Sequence, residues 1–259
     1  MKALITFALA SEFAPWRDAH AFRAEKFGRD VIYVAQVGTV QVTALITGVG
    51  PDGARTVAAE FIEGEFEAFD LCISSGFAGA LKPEYAVGTV LAARVVVSER
   101  GGLKEFGCES HPLLLAPAAE CGATLVDRFC TTSRAATTVA EKRRLATEAD
   151  AVEMESFEVM RGAARWGVAS VAIRAVSDGA DEELPLDVNS VLSEGQVSVP
   201  RVIGQIARRP RSLPGIVRLG RQSKMAAQSL AQFLDRYLLA LSSGAHQLPT
   251  TVAASAAVR

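Results

Sequence analysis

Short runs of β-branched and other apolar residues alternate along this chain with stretches whose apolar positions recur at helical spacing. The runs predict strands near 2–9, 31–37, 40–47, 70–75, 88–97, 123–130 and 168–175, and the helical periodicities predict helices near 52–64, 138–147, 154–166 and 187–208. Strands covered on both faces read as continuous apolar runs, so the alternation describes an α/β domain around a largely buried sheet. Two runs, "VIYVAQV" and "VQVTALIT", are separated only by Gly38 and Thr39. That spacing predicts an antiparallel hairpin, and therefore a mixed sheet.

The pattern changes at "ARRPRSLPG", residues 207–215, where three arginines and two prolines interrupt it. We read a main domain over 1–208, a basic linker with an amphipathic helix over 209–243, and a disordered tail over 244–259 that is rich in Ala, Thr and Ser. Ile216, Leu219, Met225, Leu230, Phe233, Leu234, Tyr237, Leu238 and Leu241 form the apolar face of that helix. Such a face behind a basic entry could lie on a membrane surface, but Asp235 and the small residues dilute the signal, and packing against the domain or a partner subunit is the simpler expectation. At the other end, the apolar run of "MKALITFALASEF" is short and is followed by Glu12, which reads as a buried first strand rather than a leader. Arg174 interrupts the richest apolar stretch, so no spanning helix is predicted and a cytoplasmic location is expected.

Composition narrows the function. The chain has 259 residues, 49% of them hydrophobic, enough to bury a core without disulfides or metal. A formal charge of −2 supplies no basic excess for a nucleic-acid backbone, which leaves a small molecule as the expected partner. Cys72, Cys108, Cys121 and Cys130 are scattered without metal spacing, as are His20, His111 and His246. Neither a zinc site nor a His-based triad is expected, and no metal or organic cofactor is implied.

Four segments carry candidate chemistry. "GVGPDG", residues 48–53, matches a dinucleotide fingerprint literally, but Pro51 removes a backbone N–H and the nearest acid, Asp70, precedes its strand instead of ending it. A sharp strand-to-helix turn is the better reading. "LCISS" runs into Gly76-Phe77-Ala78-Gly79-Ala80, read as a second glycine loop at a strand end, where a ligand could approach the main chain. "VASVAIRAVSDGAD" places Arg174 at the end of a buried strand, then Ser177 beside Asp178. In "AVEMES", an extended backbone would turn Glu153 and Glu155 to opposite sides, leaving one facing a cleft beside Met154. A carboxylate there could accept from both hydroxyls of a vicinal diol, while the thioether packs on a sugar ring.

With these segments in order, residues 1–205 resemble the nucleoside phosphorylase and nucleosidase superfamily, and are most similar to the methylthioadenosine/S-adenosylhomocysteine nucleosidases. The resemblance rests on the N-terminal strand reaching Glu12, "TGVGPDGA", "SSGFAGALKPEYAVGTV", "AVEMES" and "IRAVSDGAD". It implies a three-layer α/β/α sandwich around a mixed, partly barrel-like sheet, and cleavage of an N-glycosidic bond. It also implies roles: Glu155 on the ribose hydroxyls with Met154 on the sugar, Asp178 as general acid to purine N7 with Ser177 orienting it, Glu12 and Arg174 holding the water with Glu12 as base, and Ala78 and Gly79 lining the ribose and base pocket. Phe77 departs from the small residue usual at its position in methylthioadenosine-type enzymes; it is a candidate to stack on the base, and otherwise points to a different substrate. Under that assignment Asp178 is kept neutral by burial or by hydrogen bonds to its neutral form, and Arg174 nearby favours the ionised form of Glu12.

Phosphorolytic relatives carry an Arg near 74 and a hydroxyl near 77, where this chain has Ser74 and Phe77, so water is the expected nucleophile and a phosphorylase the alternative. A non-catalytic nucleoside-binding module is a third reading. The loop "TTSRAATT" lacks the aromatic that methylthioadenosine-type enzymes stack on adenine, which leaves the base and the 5′ substituent open, futalosine and adenosylhopane among the substrates of relatives. The family's habit of assembling as dimers or larger rings implies a homo-oligomer.

Overall fold

The computed structural model describes all residues except 29, 57–68, 100–106, 186, 194–195, 198, 209 and 244–259. The main sheet runs through β1 (Lys2–Phe7), β2 (Arg23–Phe27), β3 (Asp30–Val37), β4 (Val40–Ile46), β5 (Leu71–Ala80), β6 (Val90–Ser98), β7 (Gly107–Glu109), β8 (Thr124–Thr131), β9 (Ala151–Glu153) and β10 (Ala169–Asp178). Its order is β10-β6-β8-β9-β5-β1-β4-β3-β2, and β10 also pairs with β5, so five strands close into a barrel from which the remaining path extends as an open wing. The β3–β4 pair is the antiparallel hairpin predicted around Gly38 and Thr39, and the sheet is mixed.

Side chains on successive residues of β1 enter different layers, as strand alternation requires. Ala3, Ile5 and Phe7 join a large core with Phe13, Trp16, Leu114, Phe233, Leu234 and Tyr237, whereas Leu4 joins Leu45, Cys72, Val159 and Ala163 on the opposite face. Helices Ala10–Ala19, Pro112–Glu120 and Leu213–Ser243 supply the first layer, and helix Ser156–Arg165 the other. The result is a three-layer α/β/α sandwich. The C-terminal helix is part of it: Leu230, Phe233, Leu234, Tyr237 and Leu238 are fully buried. Two polar ties reinforce the apolar contact, from Trp16 Nε1 to Asp235 Oδ1 at 2.7 Å and from Tyr237 Oη to Leu114 O at 2.7 Å. No helix among the described residues is long and apolar enough to cross a membrane.

Several elements differ from the sequence expectation for identifiable reasons. Strand β2, "RAEKF", is an exposed edge strand, so it has no apolar run to betray it. Strand β9 has three residues, too few for any periodicity. "GFAGA" is not a loop but the second half of β5, its small residues packed between β10 and β9. Arg174 is accordingly in mid-strand, since β10 continues to Asp178. The single helix expected over 187–208 is divided into Val188–Val191, a short pairing of Leu192–Ser193 with Gln196–Val197, and Val199–Arg208; Pro200, in the first turn of the last helix, marks that restart. The helix predicted over 52–64 is helical from Pro51 to Thr56, and its remainder, like the predicted tail, falls outside the described residues.

Because the C-terminal helix shares the main core, we expect Leu234→Ala to cost about 2–5 kcal/mol, the range for a large-to-small change at a fully buried site. Urea unfolding followed by tryptophan fluorescence and by circular dichroism should give one coincident transition shifted to lower denaturant. A separate early transition for the helix would contradict its place in the core.

Candidate active site

Strand β5 changes partner along its length. Residues Leu71 to Ser74 pair with β1 on one edge, and Gly79 and Ala80 pair with β9 on the same edge. Between them β1 and β9 diverge, and the backbone groups of residues 75–78 on that edge lose their ladder partners. A buried N–H or C=O must still be satisfied. Phe77 N donates to Glu12 Oε1 at 3.0 Å, and Ser75 O accepts from Arg174 Nη1 at 2.8 Å. The fork in the sheet thus holds both side chains.

Glu12 sits in the first turn of helix Ala10–Ala19 and folds back over its start, Oε2 accepting from Ala8 N at 2.8 Å and Leu9 N at 3.0 Å. Gly76 adopts φ +142° between the two charged groups, and a Cβ there would collide with Arg174 Nη1 and stand 2.9 Å from Glu12 Oε2. Only glycine allows that approach. Burial pushes the Glu12 carboxyl above its ordinary value, outweighing the opposing pull of Arg174 and of the backbone N–H groups. Arg174 favours the ionised form, as the sequence reading expected, but it is not the larger effect.

Arg174 lies behind the cavity wall. It is 0% exposed, and besides Ser75 O its guanidinium donates to Glu153 Oε2 at 2.5 Å and Ser156 Oγ at 2.8 Å. Its donors are committed within the scaffold, so it acts on Glu12 through charge, and the structure does not bring it to the cavity as a partner in holding water.

The two glutamates of "AVEMES" do not point apart, because the extended backbone ends at Glu153. Glu155 has φ −130° and ψ −33° at the start of helix Ser156–Arg165, and its Oε2 comes within 3.5 Å of the same Arg174 Nη2 that Glu153 contacts. Glu153 accepts from Glu155 N at 3.0 Å and Ser156 N at 2.7 Å, capping that helix, and also from Thr131 Oγ1. Glu155 Oε1 accepts from Gly50 N at 2.8 Å, which is what the "GVGPDG" turn contributes. Burial, and next the nearby Glu153 and Glu12, push Glu155 up to about 8 against the attraction of Arg174. One guanidinium therefore serves three buried carboxyls.

Asp178, at the end of β10, packs over Gly79, where a Cβ would stand 3.0 Å from its Oδ2. Ser177 Oγ donates to Asp178 Oδ1 at 2.7 Å. On its other oxygen is Lys142, which the sequence reading did not single out: Nζ is 2.5 Å from Oδ2, and the side chain is 1% exposed. Asp178 therefore meets Ser177 on one oxygen and a buried lysine on the other, and the lysine is a partner the sequence reading did not include. Lys142 occupies the inward face of helix Val139–Leu145 with Leu145, three residues on, while Arg143 and Arg144 face outward to Asp181 and Glu99. A lysine in register with the apolar face of the predicted 138–147 helix was the available signal.

Glu12, Phe77, Ala78, Gly79, Met154, Glu155, Ser177 and Asp178 line one cavity, together with Glu153 and the apolar side chains of Leu9, Val49, Val152 and Leu184. Of the expected site residues, Arg174 alone is not on its surface. The cavity adjoins an outer depression that shares Val49 and Met154 and is lined by polar groups such as Thr47, Ser133 and Asn189.

The carboxyl cluster has a pH consequence. A group whose folded pKa is raised, as for Glu155, contributes stability that is complete below its unfolded value near 4.5 and is lost as pH rises through about 8. Glu155→Gln removes that titration, so its Tm should exceed that of the unaltered protein at pH 8.5 and differ little at pH 5. Glu153→Gln should instead lower Tm at both pH values, by about 3–5 kcal/mol of stability, because it leaves Arg174 buried without its nearest charge. Thermal melts of both variants at the two pH values check the contrast.

Comparison with known proteins fits this geometry. A curated relative, 5′-methylthioadenosine/S-adenosylhomocysteine nucleosidase of an Exiguobacterium species, is 26% identical over 201 residues, 68% of this chain and 84% of the relative. Among solved structures, a futalosine hydrolase mutant of Helicobacter pylori superposes with a TM-score of 0.70 at 18% identity, covering 92% of this chain and 98% of that one. The 5′-methylthioadenosine/S-adenosylhomocysteine nucleosidase of Neisseria meningitidis, in complex with methylthio-immucillin-A, gives 0.69 at 21% identity over 92% of this chain and 98% of its own. These structural likenesses establish a shared fold. The family model described as the phosphorylase superfamily matches residues 5–206, most of the chain, and the protein belongs to that superfamily.

Proposed function

We propose that the protein is a purine nucleosidase that hydrolyses the N-glycosidic bond of an adenine or related purine nucleoside. The observation that carries this reading is that two carboxyls, Glu12 and Asp178, line one cavity together. Glu12 lies against Gly76 and Asp178 against Gly79, both on β5. An inverting glycosidase uses such a pair, one carboxyl as base to the attacking water and the other as acid to the leaving group. Glu155 and Met154 line the same cavity, where they are available to a ribose diol and ring.

In this reading Glu12 takes a proton from water as the oxygen bonds to C1′. The glycosidic electron pair passes to the purine, and Asp178 delivers a proton to N7. Ser177 fixes the rotation of the Asp178 carboxyl. Hydrolysis is favoured over phosphorolysis by the wall beside Glu12. Ser74 is 0% exposed and bonded to Ser156 Oγ at 3.0 Å, Phe77 offers no hydroxyl, and Arg174 is fully buried with its guanidinium bonded to Ser75 O, Glu153 and Ser156. A phosphate dianion there would meet carboxyls rather than cations. The names of the relatives make methylthioadenosine, S-adenosylhomocysteine and futalosine the first substrates to test.

Purified protein incubated with these nucleosides should release free base without added phosphate; release that depends strictly on phosphate would make it a phosphorylase. Asp178→Asn should lower kcat on a purine nucleoside by about 10²–10⁴, the usual contribution of a general acid. Glu12 works as its carboxylate, and its pKa is raised, so activity should fall as pH falls through a value above the ordinary 4.5. A profile of kcat/KM that stays flat down to pH 4 would remove Glu12 as the base.

A further inference from the structure

Lys142 is a buried, charged group to which the cavity chemistry gives no task. Lys142 Nζ has three N–H donors and three acceptors at bonding distance: Asp178 Oδ2 at 2.5 Å, Gly179 O at 2.6 Å and Glu182 O at 3.0 Å. Three acceptors match an ammonium and not an amine, which would have one donor too few. The carbonyls are held in place from outside. Glu182 Oε2 accepts from Gly179 N at 3.0 Å, and Gln222 of the C-terminal helix donates to both oxygens of Glu182, at 3.1 and 3.0 Å. The turn after β10 is thus wrapped around Lys142 and tied to the rear layer of the fold.

This arrangement bears directly on the leaving group. Both Asp178 oxygens accept in the structure, Oδ1 from Ser177 and Oδ2 from Lys142. A carboxylate in that state has no proton of its own to give. Ser177 cannot store one, because an alcohol is far too weak an acid. The nearest transferable proton is on Nζ. Placing a lysine there for stability alone would be an expensive choice, since an ion pair taken out of water gains little over an apolar pair of the same size.

We propose that Lys142 is a positioning residue that stores the proton which Asp178 passes to the purine. The inference rests on the nucleosidase reading and on Asp178 as its acid. As the C1′–N9 bond breaks and its electron pair enters the purine ring, N7 takes a proton from Asp178, and Asp178 Oδ2 takes one from Lys142 Nζ. The base leaves neutral, and the pair is left as carboxylate and amine. Water has meanwhile bonded to C1′ and given its proton to Glu12. Solvent then removes the proton from Glu12 and restores one to Lys142, so that protons and electrons balance over the cycle. The aspartate in this way has a transferable proton within hydrogen-bond reach while both of its oxygens accept.

The test compares a purine nucleoside with a 4-nitrophenyl riboside bearing the same 5′ group, whose leaving group departs without protonation. Lys142→Met should lower kcat on the purine nucleoside about 10²-fold or more, a general-acid effect, yet leave the nitrophenyl substrate within about threefold. Lys142→Arg keeps the cation but cannot release a proton, so it should show the same split between substrates while holding Tm. Equal losses on both substrates would make Lys142 merely structural and overturn the proposal. Full purine turnover in Lys142→Arg would replace proton storage by simple charge and overturn the proposal. If Asp178→Asn itself turns over purine nucleosides normally, or no nucleoside is cleaved, the underlying reading fails instead.

Discussion

The structure depends on the fork in the sheet at residues 75–78. A strand that pairs with β1 in its first half and with β9 in its second leaves main-chain groups unpaired inside the protein, where each unpaired group costs about 1–3 kcal/mol. Glu12 and Arg174 satisfy them, and the same bonds fix these side chains in position. Closure of the five-strand barrel is what forces the fork. The barrel therefore creates the cavity and also supplies the reason for charged residues to be buried at its mouth.

Charge accumulates around this point in a way that serves binding better than stability. Glu12, Glu153 and Glu155 are all nearly inaccessible and share the field of Arg174. Glu153 is saturated by donors from the backbone, Thr131 and Arg174, and holds the start of helix Ser156–Arg165. Among the described residues, Glu155 has Gly50 N as its close hydrogen-bond donor, with Arg174 Nη2 at 3.5 Å, which leaves capacity for a ligand. A fold that keeps such a group close to neutrality gives up some stability to hold a site ready, the compromise expected where function and folding compete for one residue. At the far end of the cavity the second ion pair, Lys142 with Asp178, repeats the arrangement with a lysine, whose ammonium can give up a proton, in place of an arginine, whose guanidinium cannot.

The C-terminal helix links these features to the body of the protein. Its buried face completes the largest core, and Gln222 reaches Glu182 to brace the turn that carries the Lys142 acceptors. A segment that looks like an appendage in sequence is part of the support for the Lys142–Asp178 pair.

The fold class, the β3–β4 hairpin, the mixed sheet and most cavity residues were legible in the sequence because they are local. Apolar runs and their period reveal buried strands, and short motifs such as "AVEMES" and "SDGAD" travel together as units of backbone. What could not be read depends on which strand lies beside which. The extension of β5 through "GFAGA" follows from barrel closure, and three-residue β9 exists only because β5 and β8 flank it. The withdrawal of Arg174 from the cavity follows from β10 continuing past it. The pairing of Lys142 with Asp178 joins residues 36 apart in sequence, and neither helical periodicity nor local motif records such a meeting. The sequence by itself determined the elements and the chemical types at the site; only the tertiary structure decided their protonation and partners, because burial and the distance between charges are properties of the packed chain.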